Sequence, residues 1–104
     1  MQIQINTDNH VEGSARLSSY IADELKTSLS RFDDKITRIE VHLKDENGDK
    51  FGLNDKRCLI EIRVANLQPM VVTDTSDTLE KAYHLAIAKA KKVLTSTFEK
   101  LKEH

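Results

Sequence analysis

Apolar residues recur along residues 77–104 at Leu79, Ala82, Tyr83, Ala86, Ile87, Ala90, Val93, Leu94, Phe98 and Leu101, uninterrupted by Gly or Pro. The i, i+3, i+4, i+7 spacing predicts one long amphipathic helix. Asp77, with Glu80 three positions on, is the expected cap, its carboxylate taking an orphan amide of the first turn. A second stripe, Leu17, Tyr20, Ile21, Leu25, Leu29 and Phe32, predicts a helix from about Ala15 to Phe32, capped by Ser14 and ended by Asp33 and Asp34.

Elsewhere the period is two. Ile3 and Ile5 alternate with Gln2, Gln4 and Asn6. Ile39, Val41 and Leu43 alternate with Arg38, Glu40, His42 and Lys44, and Cys58, Ile60, Ile62 and Val64 with Arg57, Leu59, Glu61 and Arg63. Asn66-Leu67-Gln68-Pro69 makes a tight connection into a short strand, Met70 to Thr75. Strands with one apolar face need cover on one side only, and two amphipathic helices supply it. The predicted fold is α+β, in the order β-α-β-β-β-α: a four-stranded sheet with both helices packed on one face.

A chain of 104 residues, 38% hydrophobic and 32% charged, is expected to form a single domain over residues 1–104 with a modest core and a highly charged surface. The one cysteine, Cys58, has no internal partner and falls on the apolar side of its strand, which points to packing in a reducing compartment. With no membrane-spanning run and no apolar leader, the expected location is cytoplasmic.

Net charge is −1, so the protein as a whole is not a basic nucleic-acid binder, but the charge is unevenly spread. Residues 1–35 carry four basic and six acidic side chains, residues 36–76 six and seven, and residues 77–104 six and four. A positive field therefore belongs to the last helix. At 100° per residue, Lys81, His84, Lys91, Lys92 and Lys102 project away from its apolar stripe, and Lys89 and Lys100 flank it.

Catalytic chemistry finds little support. His10, His42, His84 and His104 lie on different elements, and no Gly-rich phosphate loop, GxSxG elbow or HExxH occurs. The run Asp45-Glu46-Asn47-Gly48-Asp49 spaces its oxygens like half a calcium loop. Lys50 stands where that loop needs Gly, however, and strands flank it, so a hairpin loop is expected. No enzyme activity, cofactor or metal is expected.

Three local patterns, in this order and spacing, resemble the ribosome hibernation-promoting factors, also called the ribosome-associated inhibitor or sigma-54 modulation protein family. They are the opening strand Met1 to Asn6 followed by Ser14-Ala15-Arg16-Leu17; Phe32-Asp33-Asp34-Lys35-Ile36 running into Val41-His42-Leu43-Lys44; and Lys89-Ala90-Lys91-Lys92-Val93-Leu94. The resemblance implies a non-catalytic protein that lodges in the small ribosomal subunit, binds its RNA and silences translation. By position it carries over RNA contact to Lys89 and Lys92, and to Arg16 on the first helix; helix geometry adds Lys81, Lys91 and Lys100. Asp23 and Glu24 stand where the family tends to place lysines. The expected partner is the small subunit through its ribosomal RNA, with no membrane contact, and the chain acts as a monomer or weak homodimer. The separate dimerisation domain of the long family members is not expected.

The alternative reading is a protein-interaction module. It would use the solvated sheet face (Gln4, Arg38, Glu40, His42, Leu59, Glu61 and Arg63) or pair an edge strand with another chain.

Overall fold

The computed structural model describes residues 1–8, 14–45 and 55–102. Its elements are β1 (Gln2–Thr7), α1 (Ser14–Ser28), a 3₁₀ turn (Ser30–Phe32), β2 (Ile36–Asp45), β3 (Lys56–Val64), β4 (Met70–Ser76) and α2 (Leu79–Lys102). The β-α-β-β-β-α order is the predicted one. The strands lie in the order β1-β2-β3-β4, with β1 parallel to β2 and the other pairs antiparallel. A parallel neighbour needs a crossover, and α1 provides it.

Register decides which side chains meet. Ile39 faces Ile62 and Val41 faces Ile60, which is in turn opposite Val72; Ile3 and Ile5 sit beside Ile39 and Val41. These branched side chains form one apolar sheet face. Against it lie Ile21 and Leu25 from α1, Leu29 just after it, and Ala82, Ala86, Ala90 and Leu94 from α2, all fully buried. The three alanines let the α2 backbone come close to β3 and β4. Cys58 is fully buried in this layer, as its strand position predicts.

Four expectations about the helices are corrected. α1 stops at Ser28, and the chain tightens into the 3₁₀ turn before Phe32. The low helix propensity of Thr27-Ser28-Leu29-Ser30 fits this, and the tighter turn still puts Phe32 into the core. Ser14 is the first residue of α1 and not a residue ahead of it. The cap of α2 is Thr78: its Oγ1 accepts the Lys81 N–H at 3.1 Å, while the Asp77 carboxylate turns to Lys81 Nζ at 3.3 Å. Lastly, Tyr20 and Leu101, both assigned to apolar stripes, are 55% and 50% exposed. The 24 residues of α2 span about 36 Å, against about 30 Å for the nine residues of β3, so Leu101 overhangs the sheet.

The connections follow local chemistry. Asn66 takes a left-handed conformation, φ 68°, which Asn tolerates better than most residues, and Leu67 donates its N–H to Val64 O at 3.1 Å. Lys56 Nζ reaches Asp55 Oδ2 at 2.8 Å and Asp45 Oδ1 at 3.1 Å, joining the two stems of the β2–β3 connection. All of the calcium-like run Asp45-Glu46-Asn47-Gly48-Asp49 except Asp45 lies outside the described residues, as do His10 and His104. Among the described residues no cluster of three or more His, Cys, Asp or Glu could hold a metal, and no helix is long and apolar enough to cross a membrane.

Candidate nucleic-acid interface

The outward face of α2 carries five of the six candidate residues, all exposed: Lys81, Lys89, Lys91, Lys92 and Lys100. They are not equivalent. Lys81 is paired with Asp77, and Glu80 stands exposed beside it, so the start of α2 carries no net positive charge. Lys89 leans back to the sheet edge, its Nζ 3.1 Å from Asp74 Oδ2 and donating to Thr73 O at 3.0 Å. Among the described residues, Lys91, Lys92 and Lys100 make no ion pair.

Rotation about the helix axis separates them further. Lys91 and Lys92 are about 100° apart. Lys91 therefore turns toward the α1 side, where His84 lies, and Lys92 toward Lys89 and the β4 edge. The net positive charge is concentrated in the middle of α2, with Lys92 at its centre.

Arg16, the sixth candidate, belongs to a separate cluster on α1. Its guanidinium lies 5.9 Å from the centre of the Tyr20 ring. Tyr20 in turn is close enough to Tyr83 of α2 to act on it electrostatically. Burial pushes the Tyr83 hydroxyl pKa up, with Glu24, Glu80 and Tyr20 adding to the shift. Glu24 is held by α2: His84 Nδ1 lies 2.7 Å from its Oε1. A carboxylate engaged with an imidazole opposes phosphate less than a bare one does.

Residues that periodicity alone does not single out add to the basic surface. At the end of α2, Arg31, Phe32, Lys35, Phe98, Leu101 and Lys102 line a hollow of about 470 Å³. Arg31 lies 4.8 Å from the Phe32 ring centre and Lys35 5.5 Å from that of Phe98, and the two rings stack at 5.5 Å. Arg31 and Lys35 over these rings, with Lys102 at the same hollow, prolong the α2 ridge round its C-terminal end. The available signal was Phe98 on the α2 stripe together with the Arg31-Phe32 pair.

The sheet face away from the helices divides in two. Arg38 and Arg63 oppose each other across β2 and β3, as do Glu40 and Glu61. Same-strand pairs and one diagonal pair relieve both repulsions: Glu40 Oε2 lies 3.7 Å from Arg38 and 3.7 Å from Arg63, and Arg63 Nε donates to Glu61 Oε1 at 3.0 Å. Arg38 also donates to the Gln4 side chain. Farther along, His42, Lys44, Arg57 and Leu59 line a hollow of about 320 Å³.

Comparison with known proteins agrees with this architecture. The family model for sigma 54 modulation protein / S30EA ribosomal protein matches residues 3–102. The N-terminal domain of Thermus thermophilus Protein Y superposes with a TM-score of 0.74 at 15% identity, covering 93% of this chain and 99% of that one. A ribosomal subunit interface protein from Coxiella burnetii gives 0.70 at 19% identity, covering 95% and 99%. No curated protein matches. At such identities the two structures speak for the fold, whereas the family match runs through nearly the whole sequence. The chain belongs to the sigma 54 modulation protein / S30EA ribosomal protein family, whose members are non-enzymatic, ribosome-associated factors.

Proposed function

We propose that this protein binds the RNA of the small ribosomal subunit through the outward face of α2 and thereby inhibits translation as a hibernation or stress factor in the cytoplasm. The observation that carries this reading is Lys92 with Lys91 and Lys100: exposed cations with no ion pair among the described residues, on the helix of a family whose members associate with ribosomes. Such cations lose only water and counterions on meeting phosphate, and displaced counterions are a favourable entropic term. Recognition is by shape and backbone charge, as suits structured RNA. Lys89 and Lys81 join by exchanging their internal carboxylates for phosphate, which costs part of what they contribute. The protein acts as a monomer or weak homodimer, and its residues 1–104 work as one domain.

The test is co-sedimentation with purified small subunits over a salt series. About four phosphate contacts give a log–log slope of roughly −3 to −4. Equal association at low and high salt, or none at either, would sink the reading.

A second reading, docking of a protein on the sheet, is favoured by Val71, 56% exposed on edge strand β4 beside the self-neutralised Arg38–Glu40–Glu61–Arg63 group. Sedimentation of the isolated protein at micromolar concentration checks its homodimeric form, and a monomer that captures no non-ribosomal protein removes it.

A further inference from the structure

β4 is an edge strand, and the ladder decides which of its backbone groups face outward. Ala65, just past β3, donates its N–H to Lys35 O, so the odd-numbered residues of β3 turn to β2 and the even-numbered ones to β4. Cys58, Ile60 and Ile62 therefore bond Asp74, Val72 and Met70, and the N–H and C=O of Val71, Thr73 and Thr75 point away from the sheet. An edge of this kind is a template for pairing with another chain. Two of its outward groups are already taken. Lys89 Nζ donates to Thr73 O at 3.0 Å, and Asp74 Oδ1 accepts the Thr75 N–H at 2.9 Å. The same two side chains meet each other, Nζ to Oδ2 at 3.1 Å, so one ion pair lies along the middle of the edge. Exposed apolar side chains flank it: Val71, 56% exposed, on the open sheet face, and Leu85, 47% exposed, one turn before Lys89 on α2.

We propose that the Lys89–Asp74 pair is a latch that keeps β4 from pairing with β4 of a second copy of this chain. The edge is self-complementary. Antiparallel pairing about Thr73 matches every outward residue: Thr73 meets the second copy's Thr73, and Val71 meets its Thr75 in both directions, branched pairs that suit neighbouring strands. A two-fold axis through Thr73 uses up both edges, so the product is a closed dimer and not a fibre. The same axis sets the two α2 helices side by side on one face, with Lys89 toward Lys89. Lys89 thus closes the edge twice, by occupying Thr73 O and by repelling its own image. Drawing it away removes both barriers and lets Val71 and Leu85 be covered. The latch concerns the edge strand of the second reading above, but it needs neither RNA binding by α2 nor a dimer of the intact chain, which stays largely monomeric while the latch is shut.

The test is sedimentation equilibrium of the full chain over a concentration series from micromolar to millimolar, with amide hydrogen exchange at both ends of the series. Lys89→Ala is expected to dimerise about tenfold or more tightly than the intact chain, with the Val71 and Thr73 amides slowed in the dimer. Lys91→Ala removes the same charge from the side of α2 turned toward α1, and it matches the intact chain. Val71→Lys added to Lys89→Ala puts a charge back on the exposed edge and returns the protein to monomer. The proposal is overturned if Lys89→Ala self-associates no more than Lys91→Ala. It is overturned equally by a Lys89→Ala dimer that leaves the Val71 and Thr73 amides unprotected, or that persists when Val71→Lys is added.

Discussion

Lys89 Nζ lies 3.1 Å from Asp74 Oδ2 and bonds Thr73 O as well, so this lysine fastens the middle of α2 to the outer edge of β4. A residue that the resemblance puts forward, with Lys92, for RNA contact is thus also a fold contact. An exposed lysine with a carboxylate beside it meets phosphate only by breaking or sharing that pair. The attraction of the ridge is therefore set partly by Asp74, a residue of the sheet.

Asp74→Asn should strengthen ribosome association. The amide oxygen can still accept the Thr75 N–H, which Asp74 Oδ1 takes at 2.9 Å, while the negative charge beside Lys89 disappears. An exposed ion pair holds about 0.2–1 kcal/mol, so the gain at low salt is about 1.4- to fivefold, with a stability loss of the same small size. Co-sedimentation and thermal unfolding of the same samples check both. Weaker association in the variant would show that Lys89 needs Asp74 to be positioned.

Lys89→Glu and Lys92→Glu, interchangeable in the sequence pattern, should differ in stability. Lys92→Glu disturbs no ion pair among the described residues and changes stability by no more than about 0.5 kcal/mol. Lys89→Glu sets a carboxylate against Asp74 and the Thr73 carbonyl, costing about 1 kcal/mol, or a midpoint lower by about 4–8 °C. Both weaken ribosome association. Equal melting temperatures would mean the Lys89 contact contributes nothing in solution.

Thr78→Ala should lower stability by about 1 kcal/mol, and Asp77→Ala by clearly less. Thr78 Oγ1 satisfies an amide in the first turn of α2, whereas Asp77 mainly holds the exposed Lys81. Urea midpoints for the two variants rank them. A larger effect at Asp77 would return the cap to the residue that the sequence pattern favours.

That cap marks where the sequence stops being legible. Period 3.6 and period 2 placed both helices, the first three strands and the buried face of each, because burial acts on every turn and every second residue alike. Thr78 and Asp77 are adjacent acceptors, and one residue of helix phase chooses between them. Tyr20 and Leu101 followed the stripe but are exposed, since a period states which face is apolar and not how far the surface beneath it extends. The site depends on distant pairs and is less legible still. Asp74 falls on the helix-facing side of β4, in register with Cys58, so its parity with Val72 hinted at a carboxylate beneath α2. The Arg38–Arg63 opposition needs the exact β2–β3 register, which a long connection leaves open.

Cys58 gives the last prediction, a loss of stability in alkali. Burial pushes the thiol pKa from 9.0 up to about 12, and the nearby Asp74 charge adds to the shift. Below about pH 9 the thiol is protonated in the folded and unfolded chains alike, so its contribution is complete there. Above that pH the unfolded chain releases the proton while the folded chain holds it until about pH 12. Over that window this one group costs about 1.4 kcal/mol of stability per pH unit. Tyr83, also shifted upward, acts in the same direction, so the comparison must isolate the thiol. Cys58→Ala does so: loss of the sulfur lowers stability by an amount independent of pH, and removes the extra alkaline slope. Urea midpoints for both proteins from about pH 7 to about pH 10.5 should keep a constant gap up to pH 9 and converge above it. Parallel curves across the whole range would show that the folded thiol ionises at its ordinary pKa, with water reaching the layer between β3 and α2.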